Sequence, residues 1–401
     1  MRWVTVGVFL LACVPVARAQ WILESAPSNA DLRGIANAGN GVAWASGSGG
    51  TVLRTTDGGE RWERCATPPD AERLDFRGIQ AFDASTAVVM SSGKGTLSRL
   101  YKTRDGCRTW TLVATNPDAD GFWDGMAARV RVATAGDVCD AGSRMIEGAI
   151  LGDPVVRGSS GGKAGRASLY LADFEAGIDC AKDKLGPSAA AIFAQPIDGA
   201  FAASNSGLAL LDVGTYWIAA ETRLIEYSTG FADPGHYAVQ NFCEVAFPVS
   251  HHTESSGIFS LAIRPGSVEP EKGTRLLEEP GWKEPTCRKA NMVVVGGDYT
   301  APDNRKETAA WTGGKNKFEP ARTMPGGFRS AVAWDAAARA WIAVGPNGTD
   351  VSTDDGRDWR AVHPAGDDAA DADRRWNALS LPFVVGPRGR IGKLRAGALG
   401  R

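Results

Sequence analysis

Three short stretches of this chain lie over one another without a gap: "TTDGGERW" (Thr55–Trp62), "TRDGCRTW" (Thr103–Trp110) and "STDDGRDW" (Ser352–Trp359). An internal repeat limits the fold more than any propensity does, because each copy must be one structural unit that buries its apolar face on the next. The flanks repeat as well. Leu32–Cys65 reads as strands "GIANA", "VAWASGS", "TVLRTT" and "WERCA", separated by glycine hairpins and then by the acidic turn. Phe76–Val113 and Phe328–Val362 follow the same order. Short alternating apolar runs broken by 49 Gly and 21 Pro, with no sustained helical period, make the chain all-β. Four strands in about 40 residues is the size of a β-propeller blade.

Degenerate copies fill the interval between these units. Phe122–Cys180 keeps three recognisable strands but lacks the glycines and tryptophan of the turn; Gly199–Gly230 and Gly257–Ala321 carry longer insertions. The last piece, Arg375–Leu394, has room for three strands, and "QWILES" at Gln20–Ser25 can supply the fourth. The expectation is a seven-bladed β-propeller closed by pairing the two chain ends, which removes two exposed sheet edges. Six blades is the competing count, if one degenerate unit is an inserted hairpin.

The repeated turn, (Ser/Thr)-x-Asp-x-Gly-x-x-Trp, resembles the Asp-box, or BNR repeat, of sialidases and other propellers. The matching residues are Thr55, Asp57, Gly59 and Trp62; Thr103, Asp105 and Trp110, with Cys107 in the glycine place; and Ser352, Asp354, Gly356 and Trp359. The spacing has a mechanical reason. The Asp accepts backbone N–H groups just ahead of it, the glycine supplies positive φ, and the Trp returns into the gap between blades. These residues are expected to be structural rather than catalytic or metal-binding.

The amino terminus sets a second boundary. Arg2 precedes the apolar run "WVTVGVFLLACVPVA" and the small-residue site "ARA", the pattern of a secretory leader cleaved after Ala19. Residues 1–19 are therefore read as a signal peptide and 20–401 as one propeller domain, exported through the Sec pathway to the periplasm or beyond. A lipoprotein box with Cys13 as the lipidated residue is the lesser alternative, and the run is too short for a spanning helix. With 44 basic and 46 acidic residues, the chain has no charge excess suited to nucleic acid. Cys65, Cys107, Cys139, Cys180, Cys243 and Cys287 remain after cleavage, an even number in an oxidising compartment, with their pairing open. No cofactor, metal or integral membrane span is expected, and the chain is read as a monomer.

Loops alternate between the two faces of a blade, so the acidic turns occupy one face while the starts of the innermost strands share the other. At those starts stand Arg33, Arg77, Asp124 and Arg329. Guanidinium groups at equivalent places on a ring form a rim suited to carboxylate, phosphate or an acidic partner segment. Hairpins of the same face add Asp153 in "GDP" and Asp298–Tyr299 in "GGDY"; His251, His252 and Asp298 are a weak metal reading, because adjacent histidines diverge on extended chain. The glycine run Gly158–Gly165 lacks the strand-to-helix context of a phosphate loop.

From Trp21 to Leu394, the units "VAWASGSGGTVLRTTDGGERW", "GAILGDPVV", "VVVGGDY" and "IAVGPNGTDVSTDDGRDW" look like bacterial secreted proteins related to the photosystem II stability/assembly factor of plants and cyanobacteria. That resemblance implies a non-catalytic propeller that binds protein partners during assembly of a membrane or envelope complex. It also implies an arginine patch in partner binding, for which Arg33, Arg77 and Arg329 are the first positions to consider. The rival is a sialidase-like glycoside hydrolase or glycan-binding propeller. Its three arginines and Tyr299 beside Asp298 are present, but no Glu is placed by motif to activate a tyrosine, and Trp123 is the one candidate sugar platform.

Overall fold

The computed structural model describes residues 21–156, 167–186, 200–212, 215–220, 223–233, 236–249, 252–269, 287–364 and 368–399. The leader with Cys13, His251 and the whole glycine run at 158–165 lie outside them.

The described strands form seven four-stranded antiparallel sheets. Strand β1 (Trp21–Glu24) precedes blade 1, which is β2 (Leu32–Gly39), β3 (Val42–Gly47), β4 (Thr51–Thr55) and β5 (Glu63–Arg64). Blade 2 is β6 (Phe76–Ala81), β7 (Ala87–Ser91), β8 (Arg99–Thr103) and β9 (Thr111–Thr115). Blade 3 is β10 (Trp123–Val132), β11 (Arg144–Val156), β12 (Ala167–Gly177) and β13 (Asp183–Leu185), so this degenerate copy keeps its fourth strand beyond Cys180. Blade 4 is β14 (Leu208–Asp212), β15 (Thr215–Ala219), β16 (Arg223–Asp233) and β17 (His236–Ala246); blade 5 is β18 (Ser256–Ile263), β19 (Met292–Asp298), β20 (Ala309–Trp311) and β21 (Glu319–Pro320). Blade 6 is β22 (Ala331–Asp335), β23 (Ala340–Gly345), β24 (Gly348–Ser352) and β25 (Arg360–Val362).

Blade 7 takes β26 (Ala378–Ser380), β27 (Phe383–Val385) and β28 (Ile391–Leu394) from the carboxyl end and β1 from the amino end. The closing register runs from Trp21 opposite Leu394 to Glu24 opposite Ile391. Each innermost strand touches the next, and β26 touches β2, so the seven sheets make a closed ring. The seven-bladed expectation and its mode of closure are both met.

A blade is covered on both faces by its neighbours, and the second strand lies deepest between them. That is why "VAWASG" in β3, "AVVMS" in β7 and "AWIAVG" in β23 are continuous apolar runs, buried at every position, while β5 at the periphery is exposed. The core is accordingly seven layers, one per blade interface. Trp44 and Tyr101 fill the layer between blades 1 and 2, and Trp21 and Trp376 fill the one between blades 6 and 7.

The six cysteines pair as Cys65–Cys107, Cys139–Cys180 and Cys243–Cys287. The first ties the outer edge of blade 1 to the acidic turn of blade 2. The second clamps the last turn of blade 3, which has lost its glycines and tryptophan, and the third joins blades 4 and 5.

Candidate partner-binding face

The three repeated turns share one hydrogen-bond plan. Thr55, Thr103 and Ser352 donate their hydroxyls to Asp57, Asp105 and Asp354 at 2.8, 3.0 and 2.9 Å. Those hydroxyls accept the amides of Gly59, Cys107 and Gly356, all at positive φ, and each Asp accepts an amide four residues ahead. Trp62, Trp110 and Trp359 are buried toward the preceding blade; Trp62 meets Phe383 edge-on at 5.6 Å. In each turn one carboxylate oxygen, Oδ1, takes both the hydroxyl and the amide.

On the opposite, top face, four innermost strands begin with a register slip. The slips lie between Leu32 and Gly34, Phe76 and Gly78, Trp123 and Gly125, and Ile258 and Ser260. The extra residues are Arg33, Arg77, Asp124 and Phe259. A bulge frees its residue from the ladder and re-aims the side chain, so these four stand at the mouth of the ring.

Arg33 and Arg77 are held by one device. The Arg33 Nε donates to Asp31 at 2.8 Å and the Arg77 Nε to Asp75 at 2.8 Å, two residues upstream in each case. Their side chains stay 31% and 28% exposed, which leaves guanidinium surface open on adjacent blades. Asn377, at the equivalent place in blade 7, donates to the same Asp31 at 3.1 Å. The upstream acids were legible as "DLRG" and "DFRG", a repeat that the arginines alone do not reveal.

Arg329 departs from the expected rim. It is 1% exposed; its Nε donates to Asp350 at 2.7 Å, and one terminal nitrogen donates to the Phe328 carbonyl at 2.8 Å and to Asn347. The reason is local. Gly327 stands where Asp31 and Asp75 stand, and Asp350 occupies the strand position of Leu53 and Tyr101 in the other two blades, so the guanidinium folds inward. Burial lowers its pKa, opposed by the Asp350 charge.

Asp124 is likewise no exposed anion. It is 4% exposed with Oδ2 unpartnered; burial, and then the charge of half-buried Asp153, push its pKa well up, while Arg77 pulls it back. Trp123 is fully buried against Tyr170, so it offers no sugar platform.

Asp298 stays on the surface. The Thr300 hydroxyl, then those of Ser255 and Thr253, outweigh burial and hold its carboxyl at about 2. Tyr299 beside it is 53% exposed and rests edge-on against Phe259 at 6.1 Å. His252 pairs with Glu307 at 3.4 Å. Among the described residues the one grouping with metal-ligand spacing is Glu226, Cys243 and Cys287, but its two sulfurs are joined to each other.

One feature of the mouth corrects the reading of Gly199–Gly230 as a blade copy from its first residue, since the first strand there begins at Leu208. The segment leading into blade 4 lies across the ring: Arg77 donates to the Ala202 carbonyl at 3.2 Å, Asn205 accepts the Met126 amide at 2.7 Å, and Ser204 donates to the Ser330 carbonyl at 2.8 Å. Ser206 bonds Ser260 at 2.7 Å, and Phe201 stacks on Phe259 at 3.9 Å. Residues 201–206 thus bind blades 2, 3, 5 and 6 together and fill the mouth. Solvent-accessible side chains at this face remain at Arg33, Arg77 and Tyr299.

No family model matches the sequence, and no curated protein matches it. Among solved structures, the chain is similar to YCF48 bound to D1 peptide, at 12% identity and TM-score 0.51, over 94% of this chain and 98% of that one. It is also similar to YCF48 from Cyanidioschyzon merolae, at 15% identity and TM-score 0.50, over 94% and 99% of the two chains. At this identity the likeness is one of fold.

Proposed function

We propose that this chain is an exported, protein-binding propeller that serves the assembly or stability of an envelope or membrane complex, and that its top rim is the partner surface. The observation that carries the reading is the paired device at Arg33 and Arg77. Two guanidinium groups on neighbouring blades are fixed at Nε by an acid and stay partly exposed, Arg77 giving one terminal nitrogen to the Ala202 carbonyl, a geometry suited to carboxylates of a partner chain. Exposed Tyr299, across the plug and backed by Phe259, adds an aromatic anchor of the kind that dominates protein interfaces. The whole-chain likeness to YCF48, one structure of which is bound to D1 peptide, supports a polypeptide as the ligand. The leader at 1–19 supports export to the periplasm or beyond, and no helix among the described residues is long and apolar enough to cross a membrane.

The hydrolase alternative is the weaker reading. A three-arginine grip needs Arg329, whose guanidinium is taken up by Asp350 and Asn347, and Tyr299 rests on a phenylalanine rather than a glutamate. The test is affinity purification of wild type and the Arg33→Ala/Arg77→Ala variant from the native envelope. A co-purifying polypeptide lost from the variant, at unchanged thermal midpoint, supports the reading; equal recovery from both removes it.

A further inference from the structure

A second basic site lies on blade 7, and none of its lining residues belongs to the Arg33 and Arg77 devices. A cavity of about 680 Å³ is lined by Arg375, Arg388 and Arg390 together with Ser28, Asn29 and Glu24. Its charge is not balanced internally. Asp371 is shared by two of the arginines, lying 3.3 Å from Arg375 and 3.2 Å from Arg390. Glu24 is engaged elsewhere, accepting the Trp62 indole N–H at 2.8 Å. Arg388 is exposed and, among the described residues, has neither a hydrogen bond nor an ion pair through its side chain. Arg390 lies with its guanidinium over the Trp376 ring at 4.7 Å and has a buried Nε with no acceptor. Three guanidinium groups against the carboxylates of Asp371 and Glu24 leave an excess of one positive charge around the cavity.

The backbone gives an independent reason to regard Arg388 as selected for its side chain. Residues 387–390 form a turn in which the Arg390 amide bonds the Pro387 carbonyl, and both central residues, Arg388 (φ 60°) and Gly389 (φ 71°), are left-handed. Asn-Gly is the pair that favours such a turn, and blade 1 uses it at Asn40 (φ 51°) and Gly41 (φ 79°). Gly389 is obligatory, since a Cβ there would meet the Ser28 carbonyl. An arginine in the asparagine place is disfavoured by local conformation, and Arg375 on the same cavity is left-handed too, at φ 66°. Strained residues that converge on one cavity are characteristic of ligand clamps.

We propose that this cavity binds a phosphate monoester. A phosphate monoester carries three free oxygens, so it can engage more than one guanidinium fork where a single carboxylate has only two oxygens to offer. The volume exceeds that of free phosphate, so the ester's organic part has room. Such a group can be carried by a small soluble molecule or by a lipid headgroup, and the experiment separates the two.

The purified full chain is titrated calorimetrically with glycerol 3-phosphate, and is floated with phosphatidylcholine vesicles with and without phosphatidic acid. The informative variant is Arg388→Asn, which gives the turn its preferred residue. Its thermal midpoint is expected to equal or exceed that of wild type, while glycerol 3-phosphate affinity falls roughly tenfold, the loss of one charge-assisted contact. Arg388→Lys keeps charge without the fork and is expected to fall between the two. Flotation only with phosphatidic acid, lost in Arg388→Asn, assigns the same site to a lipid headgroup. The proposal is overturned if neither ligand binds, or if either binds Arg388→Asn as it binds wild type. None of these readouts needs a protein partner, so failure here leaves the rim reading untouched, and the reverse.

Discussion

Replacing Arg329 separates its buried role from the open role of Arg33. In Arg329→Ala the Asp350 carboxylate loses two guanidinium donors and keeps the Gly326 amide at 3.1 Å, and Asn347 loses its contact as well. Both charged side chains are about 2% exposed, so water does not replace what is removed. Breaking a buried pair from one side costs on the order of 3–5 kcal/mol. Removing both partners is far milder, because apolar residues of similar volume often replace a buried pair at no net cost. Arg329→Met/Asp350→Leu installs at position 350 the residue that blade 1 carries as Leu53. Urea unfolding of Arg329→Ala, the double variant and Arg33→Ala makes the comparison. The expected result is a loss of about 3–5 kcal/mol for Arg329→Ala, recovery of most of it in the double variant, and a change within about 0.5 kcal/mol for Arg33→Ala. An Arg329→Ala protein that unfolds like wild type and instead loses the partner would refute the buried role.

Other outcomes follow from the same geometry. Asp173 is raised to about 6, mainly by burial, and has an unpartnered Oδ1. Because its folded pKa lies above the unfolded one, the folded state loses stability as pH rises from about 4 to 6 and none further above that. Asp173→Asn should therefore stabilise the protein at pH 7 by at most about 3 kcal/mol, a gain that disappears by about pH 4 in thermal melts across pH. Cys65 and Cys107 are 42 residues apart, so Cys65→Ser/Cys107→Ser should lower stability by up to about 4 kcal/mol in denaturant unfolding, the loop-closure entropy that the crosslink removes from the unfolded chain. Ser204→Val removes a buried hydroxyl that ties the plug to blade 6 at 2.8 Å; it is expected to cost about 1–3 kcal/mol by the same assay and to speed hydrogen exchange around the mouth.

The parts of this molecule that repeat were readable in advance, and the parts that depend on a partner across the ring were not. Glycines, acids and tryptophans at fixed spacing report local turns, and a turn's hydrogen bonds close within a few residues. Blade count rests on the strand pattern of three intact and three degenerate units, and closure on a last unit with room for only three strands. Arg329 looks like Arg33 in a one-dimensional alignment, yet its direction is decided by Asp350 on another strand and by the absence of an upstream acid. Asp124 and Trp123 likewise took their burial from neighbours that no local motif names. The disulfides join turns and strands 41 to 44 residues apart, a separation that leaves every pairing possible until blades are set side by side. Residues 201–206 fall within the copy read at Gly199–Gly230, yet they precede its first strand at Leu208, because their partners lie on four different blades.

Binding on the top rim, and not on the face of the acidic turns, can be decided by photocrosslinking. A photoreactive phenylalanine analogue is placed in turn at exposed Tyr299 on the top rim and at exposed Arg108 in the opposite turn of blade 2. The expected result is a discrete crosslinked polypeptide from position 299, abolished in the Arg33→Ala/Arg77→Ala background, and none from position 108. Crosslinks from position 108 alone would place the partner on the wrong face and contradict the rim as its site.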